Sequence, residues 1–347
     1  MTAQTRIMFT RRPGSLAGAT ALCAVLCFQA AALAKPVYTA VDVPGATGTE
    51  PAGINGAGTV AGVYTDSRYT SHCFVWAGGG TISYCDPKNS INTFVAGIND
   101  SGTVAGSWND SSSQTHGFVY TANGTATAFD PKGSTRTTSG GIDANGDITG
   151  EYLDSNNVPH GFICTGTCQN ATSFDVTGAT ATIGSAINDS QTVAGYYYDS
   201  GNKQHAFVRT AKGKVTTIDP QNSLYPEALF INDSGAIAGE YQDQEGSHHG
   251  FVRDASGNIT SFQVDGATTF VGGLNSNGDV CGSYEFASSK GLTFWAFLRS
   301  SGGKITTWYY PRNRKHATCT GVNTDDATTG LYSRTREGAL KGYTRTP

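Results

Sequence analysis

Five histidines each open a short aromatic stretch, and each follows an aspartate by six residues: Asp66 and His72, Asp110 and His116, Asp154 and His160, Asp199 and His205, Asp243 and His249. A carboxylate that orients an imidazole is half of many catalytic and metal sites. Here the pair recurs at a spacing near 44 residues, whereas catalysis needs one constellation and not five copies around a scaffold. The five histidines therefore read as structural, each pinning a loop through a His–Asp hydrogen bond, because a buried imidazole needs a partner. No metal is expected. Asp143-Ala144-Asn145-Gly146-Asp147 and its relatives lack the terminal Glu of a calcium loop. Cys164 and Cys168 have no second Cys/His pair to complete a zinc site. No Gly-x-Ser-x-Gly, His-Glu-x-x-His or phosphate loop is present, and no cofactor is expected.

Chemistry is better sought where the repeat fails. Five residues before each repeated Asn or Asp stand Glu50, Phe94, Thr138, Ile183, Glu227, Phe270 and Thr318. Two carboxylates among apolar neighbours could act on a sugar or hold a cation. The stretch from Tyr309 to His316 is the only dense basic cluster, and its aromatic and cationic groups suit an acidic sugar or a carboxylate. The loop from Asn222 to Glu227 enters the same rim. The candidate ligand-binding set is Glu50, Tyr225, Glu227, Arg312, Arg314 and His316. Were the protein an enzyme, Glu227, His316, Arg314 and Tyr310 would serve as charge neutraliser and acid/base groups.

These residues sit on a repeat. A branched apolar residue followed by Asn or Asp returns at Ile54-Asn55, Ile98-Asn99, Ile142-Asp143, Ile187-Asn188, Ile231-Asn232, Leu274-Asn275 and Val322-Asn323. A fixed period of this length signals a repeat architecture. In the second unit, 94–98 reads as a strand and Asn99-Asp100-Ser101-Gly102 as a turn. A second strand covers 103–108, a third 116–120, and Asn123-Gly124 turns the chain into a fourth that Pro131 ends. Such a meander cannot bury both faces alone. Seven of them predict an all-β, seven-bladed β-propeller of four-stranded antiparallel blades. Tyr38 to Pro44 matches a fourth strand, while the last unit supplies only three. The N-terminal strand is therefore expected to complete the last blade and remove both sheet edges.

Composition sets the compartment. Residues 1–34 read as a signal peptide, with Arg6, Arg11 and Arg12, an apolar run from Leu16 to Leu33, and Ala32-Leu33-Ala34 in small-x-small form. Residues 35–347 read as a single propeller domain, secreted or periplasmic, without a membrane span after cleavage. Losing three Arg leaves 20 basic against 27 acidic residues, a net charge of −7. Nucleic acid is a poor partner for such a surface. Six cysteines remain, an even number that suits disulfides in an exported chain. Cys73 and Cys85 lie on consecutive strands, Cys164 and Cys168 flank a turn, and Cys281 and Cys319 are left over with their pairing open.

The third strands begin His72-Cys73-Phe74, His116-Gly117-Phe118, His160-Gly161-Phe162, His205-Ala206-Phe207 and His249-Gly250-Phe251. With the Ile-Asn-x-x-Gly turn and the Phe-Asp-x-Pro strand, the mature chain resembles the HAF-repeat extracellular proteins of bacteria. That resemblance implies an exported repeat protein and carries no reaction or catalytic residues. The expectation is a monomeric, non-catalytic binding or scaffold module for a glycan or an extracellular protein. The alternative is a secreted polysaccharide lyase or glycoside hydrolase with its site at the channel mouth.

Overall fold

Each repeat unit in the computed structural model is a four-stranded antiparallel sheet whose strands pair in chain order. The described residues are 35–166, 168, 170–288, 291–310, 316–333 and 339–347, without the side chains of 286–288 and 291–292. The expected signal peptide, 1–34, lies outside them, as do Arg312 and Arg314. In the second blade the strands are Asn92–Ile98, Val104–Asn109, Thr115–Tyr120 and Ala126–Phe129, from the channel outward. The Phe of each His-x-Phe triplet forms the blade core. Phe74, Phe118, Phe162, Phe207 and Phe251 are fully buried, with Phe297 and Tyr343 in the same role in the last two blades. The Gly of each Gly-x-aromatic step exists for close approach: a Cβ at Gly106 would strike the Phe94 carbonyl and the Phe118 ring. Neighbouring blades lock edge to face, as Phe129 does on Phe162 and Phe174 on Phe207, with ring centroids 5.9 and 6.3 Å apart.

Seven such blades make the β-propeller, and the two termini close it. Val37–Val41 pairs with Lys341–Thr346, Ala40 standing opposite Tyr343. In the last blade the inner strand is broken into His316–Ala317 and Gly321–Val322. Thr320 Oγ1 then donates to the Pro51 carbonyl at 2.8 Å, joining the last blade to the first. Among the described residues three disulfides form: Cys73–Cys85 and Cys164–Cys168 within blades, and Cys281–Cys319 between the sixth and seventh. They are compatible with a periplasmic or extracellular location. Among the described residues no helix is long and apolar enough to cross a membrane.

The Ile-Asn phrase does more than turn the chain. A bulge in each of the first six inner strands, such as Val95/Gly97, stands just before the repeated apolar residue. That residue lines the channel in every blade. The next residue binds blade to blade. Each Asn takes a turn N–H on Oδ1, as Asn99 does from Thr103 at 2.9 Å. Its Nδ2 donates to the carbonyl of the equivalent residue in the following blade. Asn55, Asn99, Asn188, Asn232, Asn275 and Asn323 all do so, at 2.9–3.1 Å, and the last bond returns to Asn55.

One link is missing. Asp143 accepts from the Asp147 N–H at 2.8 Å, but its second oxygen, Oδ2, is buried without a partner. A carboxylate has no hydrogen to give the Asn188 carbonyl. The residue is 5% exposed. Burial pushes its carboxyl up to about 6, with the charges of Asp147 and Asp189 adding to the rise. A folded-state pKa above the unfolded value stabilises the fold at low pH, and that contribution is lost as pH rises through about 6. Asp143→Asn supplies the missing donor at every pH. We expect it to match wild type near pH 4 and to exceed it by about 1–3 kcal/mol at pH 7.5, as read by thermal or urea unfolding. Equal stability of the two proteins at pH 7.5 would exclude the broken link.

Candidate functional site

The central channel offers little chemistry. Ile54, Ile98, Ile142, Ile187, Ile231, Leu274 and Val322 line both the hollow at the turn end, about 230 Å³, and the hollow at the strand-start end, about 210 Å³. They form an apolar constriction between the two. The carboxylates at the turn end already serve the ring: Asp100 accepts from the Gly56 N–H at 2.7 Å, Asp189 from Ala144 at 2.9 Å and Asp233 from Asp189 at 3.0 Å. Among the described residues no group of three or more His, Cys, Asp or Glu side chains could hold a metal ion.

The repeated histidines are built into the blades. His72, His116, His160 and His205 meet a carboxylate just past the end of the outer strand through Nδ1, from Asp86, Asp130, Asp175 and Asp219, at 2.6–3.0 Å. The aspartates six residues upstream stand farther off, 3.4–3.7 Å from Nε2. Those upstream aspartates chiefly cap turns. Asp66 Oδ1 accepts from the N–H groups of Arg68 and Thr70, and these bonds hold its carboxyl below the usual range. The fifth blade inverts the pattern. Gln263 stands at the outer position, and His249 Nε2 lies 2.7 Å from Asp243. Each of these rings also faces the aromatic opposite it on the second strand, as His205 does on Tyr197 at 5.0 Å.

The unlike residues gather where the inner strands begin. In the fifth blade the inner strand, Leu224–Ile231, carries an extra bulge between Leu224 and Glu227. There Tyr225 adopts φ +50°, immediately before Pro226, and is 59% exposed. Left-handed backbone is costly for a bulky residue. Glu227 beside it accepts from Gln204 Nε2 at 3.0 Å. Tyr196 and Tyr198 of the fourth blade complete this cleft, their rings 6.0 Å apart. Burial raises both phenols above the ordinary tyrosine value, and the Glu227 charge raises them further.

Glu227 stands directly opposite Glu240 across the first two strands of the blade. Glu240 accepts from the Val271 N–H of the next blade. Burial pushes its carboxyl up to about 7; the Val271 bond opposes the shift and the Glu227 charge adds to it. His248 lies beside it, Nδ1 to Glu240 Oε2 at 3.7 Å, takes a bond from Gln242 Nε2 at 2.9 Å, and faces Phe270 at 4.8 Å. Phe270, Phe294 and His316 continue the aromatic line, at 6.2 and 6.4 Å. On the far side, between blades two and three, a cavity of about 390 Å³ is lined by Phe94, Arg136 and Glu151 among others.

The candidates named from sequence scatter over this face. Tyr225 and Glu227 come together. His316 borders the Phe294 ring and pairs in register with Ser333. Glu50 stands opposite Val63 in the first blade. Tyr310 is buried, stacked on Tyr332 at 4.0 Å and set against Tyr38 and Tyr343. Sequence reasoning missed Glu151, Tyr196, Tyr198, Glu240 and His248. Their signal was present in other columns of the repeat. The middle residue of Gly-x-aromatic is Val63, Ser107, Glu151, Tyr196, Glu240, Ser283 and Leu331. The residue before each repeated His is Ser71, Thr115, Pro159, Gln204 and His248.

No protein-family model matches the chain, and no curated protein sequence is significantly similar to it. Solved structures with the same fold exist at low identity. A virginiamycin B lyase from Staphylococcus aureus, a catalytically inactive form with quinupristin, aligns at TM-score 0.59 and 13% identity over 90% of this chain and 100% of that one. A streptogramin B lyase aligns at 0.56 and 11%, over 90% and 98%. The β-propeller domain of the Trilobed protease from Pyrococcus furiosus aligns at 0.57 and 12%, over 86% and 94%. At these identities the likeness is one of fold.

The His–carboxylate contacts carry a stability prediction. His205→Ala strands Asp219 against the blade and should cost about 1.5–3 kcal/mol in urea unfolding.

Proposed function

We propose that this chain is an exported, non-catalytic binding module of the HAF-repeat type, which holds a glycan on the face where its inner strands begin. The observation that carries the reading is the bulge in the fifth blade. It holds an exposed Tyr225 in a costly backbone conformation next to Glu227, Tyr196 and Tyr198. Exposed aromatic faces with a few hydrogen-bonding groups suit sugar rings, which have apolar C–H faces and hydroxyl edges. The disulfides and the expected signal peptide fit export. The apolar constriction of the channel speaks against a central active site. So does the separation of roles among Glu227, His316 and Tyr310, the last of which is core.

One observation favours the lyase or hydrolase alternative. Glu240, with its carboxyl near 7, faces Glu227, and a carboxylic acid beside a carboxylate is the equipment of general acid–base chemistry on sugars.

A glycan array followed by calorimetry on the mature protein tests both readings. Tyr225→Ala and Tyr198→Ala should each weaken binding about tenfold or more, a loss of at least about 1.4 kcal/mol. Unchanged affinity in both variants would sink the proposal. Release of product from a bound polysaccharide, lost in Glu240→Gln and Glu227→Gln, would replace binding by catalysis.

A further inference from the structure

The cavity between the second and third blades is a separate hollow from the Tyr225 cleft, although the charge of Glu151 on its wall reaches Tyr196 and Tyr198, and it has a different character. Its wall includes Phe94, Thr115, Arg136, Thr138 and Glu151, and its volume of about 390 Å³ is within the roughly 300–1,000 Å³ range of small-ligand pockets. Phe94 stands where the other blades carry Glu50, Thr138, Ile183, Glu227, Phe270 and Thr318. It is 49% exposed, an unusual position for a large apolar ring. Arg136 Nη2 donates to Glu151 Oε1 at 2.6 Å, and the guanidinium side chain remains 45% exposed. The deeper hydroxyls are already committed: Ser139 Oγ donates to the Gly106 carbonyl at 2.8 Å, and Ser107 Oγ accepts from the Ser139 N–H at 2.9 Å.

This pocket therefore offers one aromatic face and one planar ion pair whose charges cancel. A charged ligand gains little net attraction from a pair whose charges cancel. An uncharged ligand with many hydroxyls can bond its remaining donors and acceptors with the pair intact. We infer that the cavity is a hexose subsite, taking a neutral pyranose that lays its apolar ring face on Phe94 and bonds the Arg136–Glu151 pair through its hydroxyls. The inference deepens the glycan-binding proposal and rests on it. It adds a second contact point on the same face, so a glycan chain could engage blades two to five.

Saturation-transfer NMR on the mature protein tests it, with the methyl glycosides of glucose, mannose and galactose as probes. At least one should receive saturation at its ring C–H protons from wild type. That signal should fall at least fivefold in Phe94→Ala and Glu151→Gln, and persist in Phe94→Trp, which keeps an aromatic face. Phe94 is half exposed, and circular dichroism of each variant checks the fold. No transfer to any of the three glycosides overturns the subsite. Transfer that survives Phe94→Ala but vanishes in Tyr225→Ala also overturns it, while leaving the Tyr225 cleft as the glycan site. Loss of array binding in Tyr225→Ala together with Phe94-dependent hexoside transfer supports both.

Discussion

Seven sheets stay in one ring because six of them pass a hydrogen bond to the next across the channel wall. The donor is the amide of the repeated Asn, and the acceptor is the backbone carbonyl of its counterpart one blade on. Both groups are buried, and a buried polar group left unpaired costs more than a surface contact returns. The constraint is geometric as well as energetic. Each amide must point along the ring while its oxygen holds the turn of its own blade, and only a carboxamide has both a donor and an acceptor in that arrangement. The bulge before it, the branched apolar residue beside it and inner-strand glycines such as Gly140, where a Cβ would strike the Gly184 carbonyl of the next blade, all serve to bring neighbouring inner strands that close.

The rest of the symmetric inventory follows from this. Histidines are tied to carboxylates just past the outer strand, aromatics cover the histidines, and upstream aspartates cap turns. What a repeat does seven times it does for the ring, and groups used in that way are not available to a ligand. The last blade shows how strong the pattern is. Its His position holds Lys341, and the N-terminal strand contributes Asp42 at the carboxylate position, 3.0 Å from the ammonium. The same opposite-charge contact thus recurs with a different cation, between residues from the two ends of the chain. Being only partly buried, the pair marks register more than it adds stability.

The residues that differ from blade to blade are the ones the ring does not use. They concentrate on one face, in the clefts between blades, because row after row of side chains there meets the inner strand of the next blade instead of solvent alone. Glu227, Glu240 and His248 come from three different strands of the fifth blade, and Phe270 comes from the sixth. Such a cluster can be altered one residue at a time without touching the amide ring, which is how one propeller scaffold can serve many ligands.

The amino-acid sequence alone determined the period, the four strands of each blade, the donated N-terminal strand and the two disulfides that are local in the chain. Those features rest on alternation, turn residues and proximity, all of which a linear reading contains. Tertiary structure decided which contacts join residues far apart. The Asn amides bridge blades because ring closure brings residue 323 against residue 55. Four of the five histidines favour the carboxylate 14 or 15 residues downstream over the one six upstream, because sheet register and not chain distance sets side-chain neighbours. Tyr310, promising beside a basic loop, went into the core because the closing blade had aromatic space to fill. Glu240 joined the candidate site only because register put it opposite Glu227 and burial raised its carboxyl.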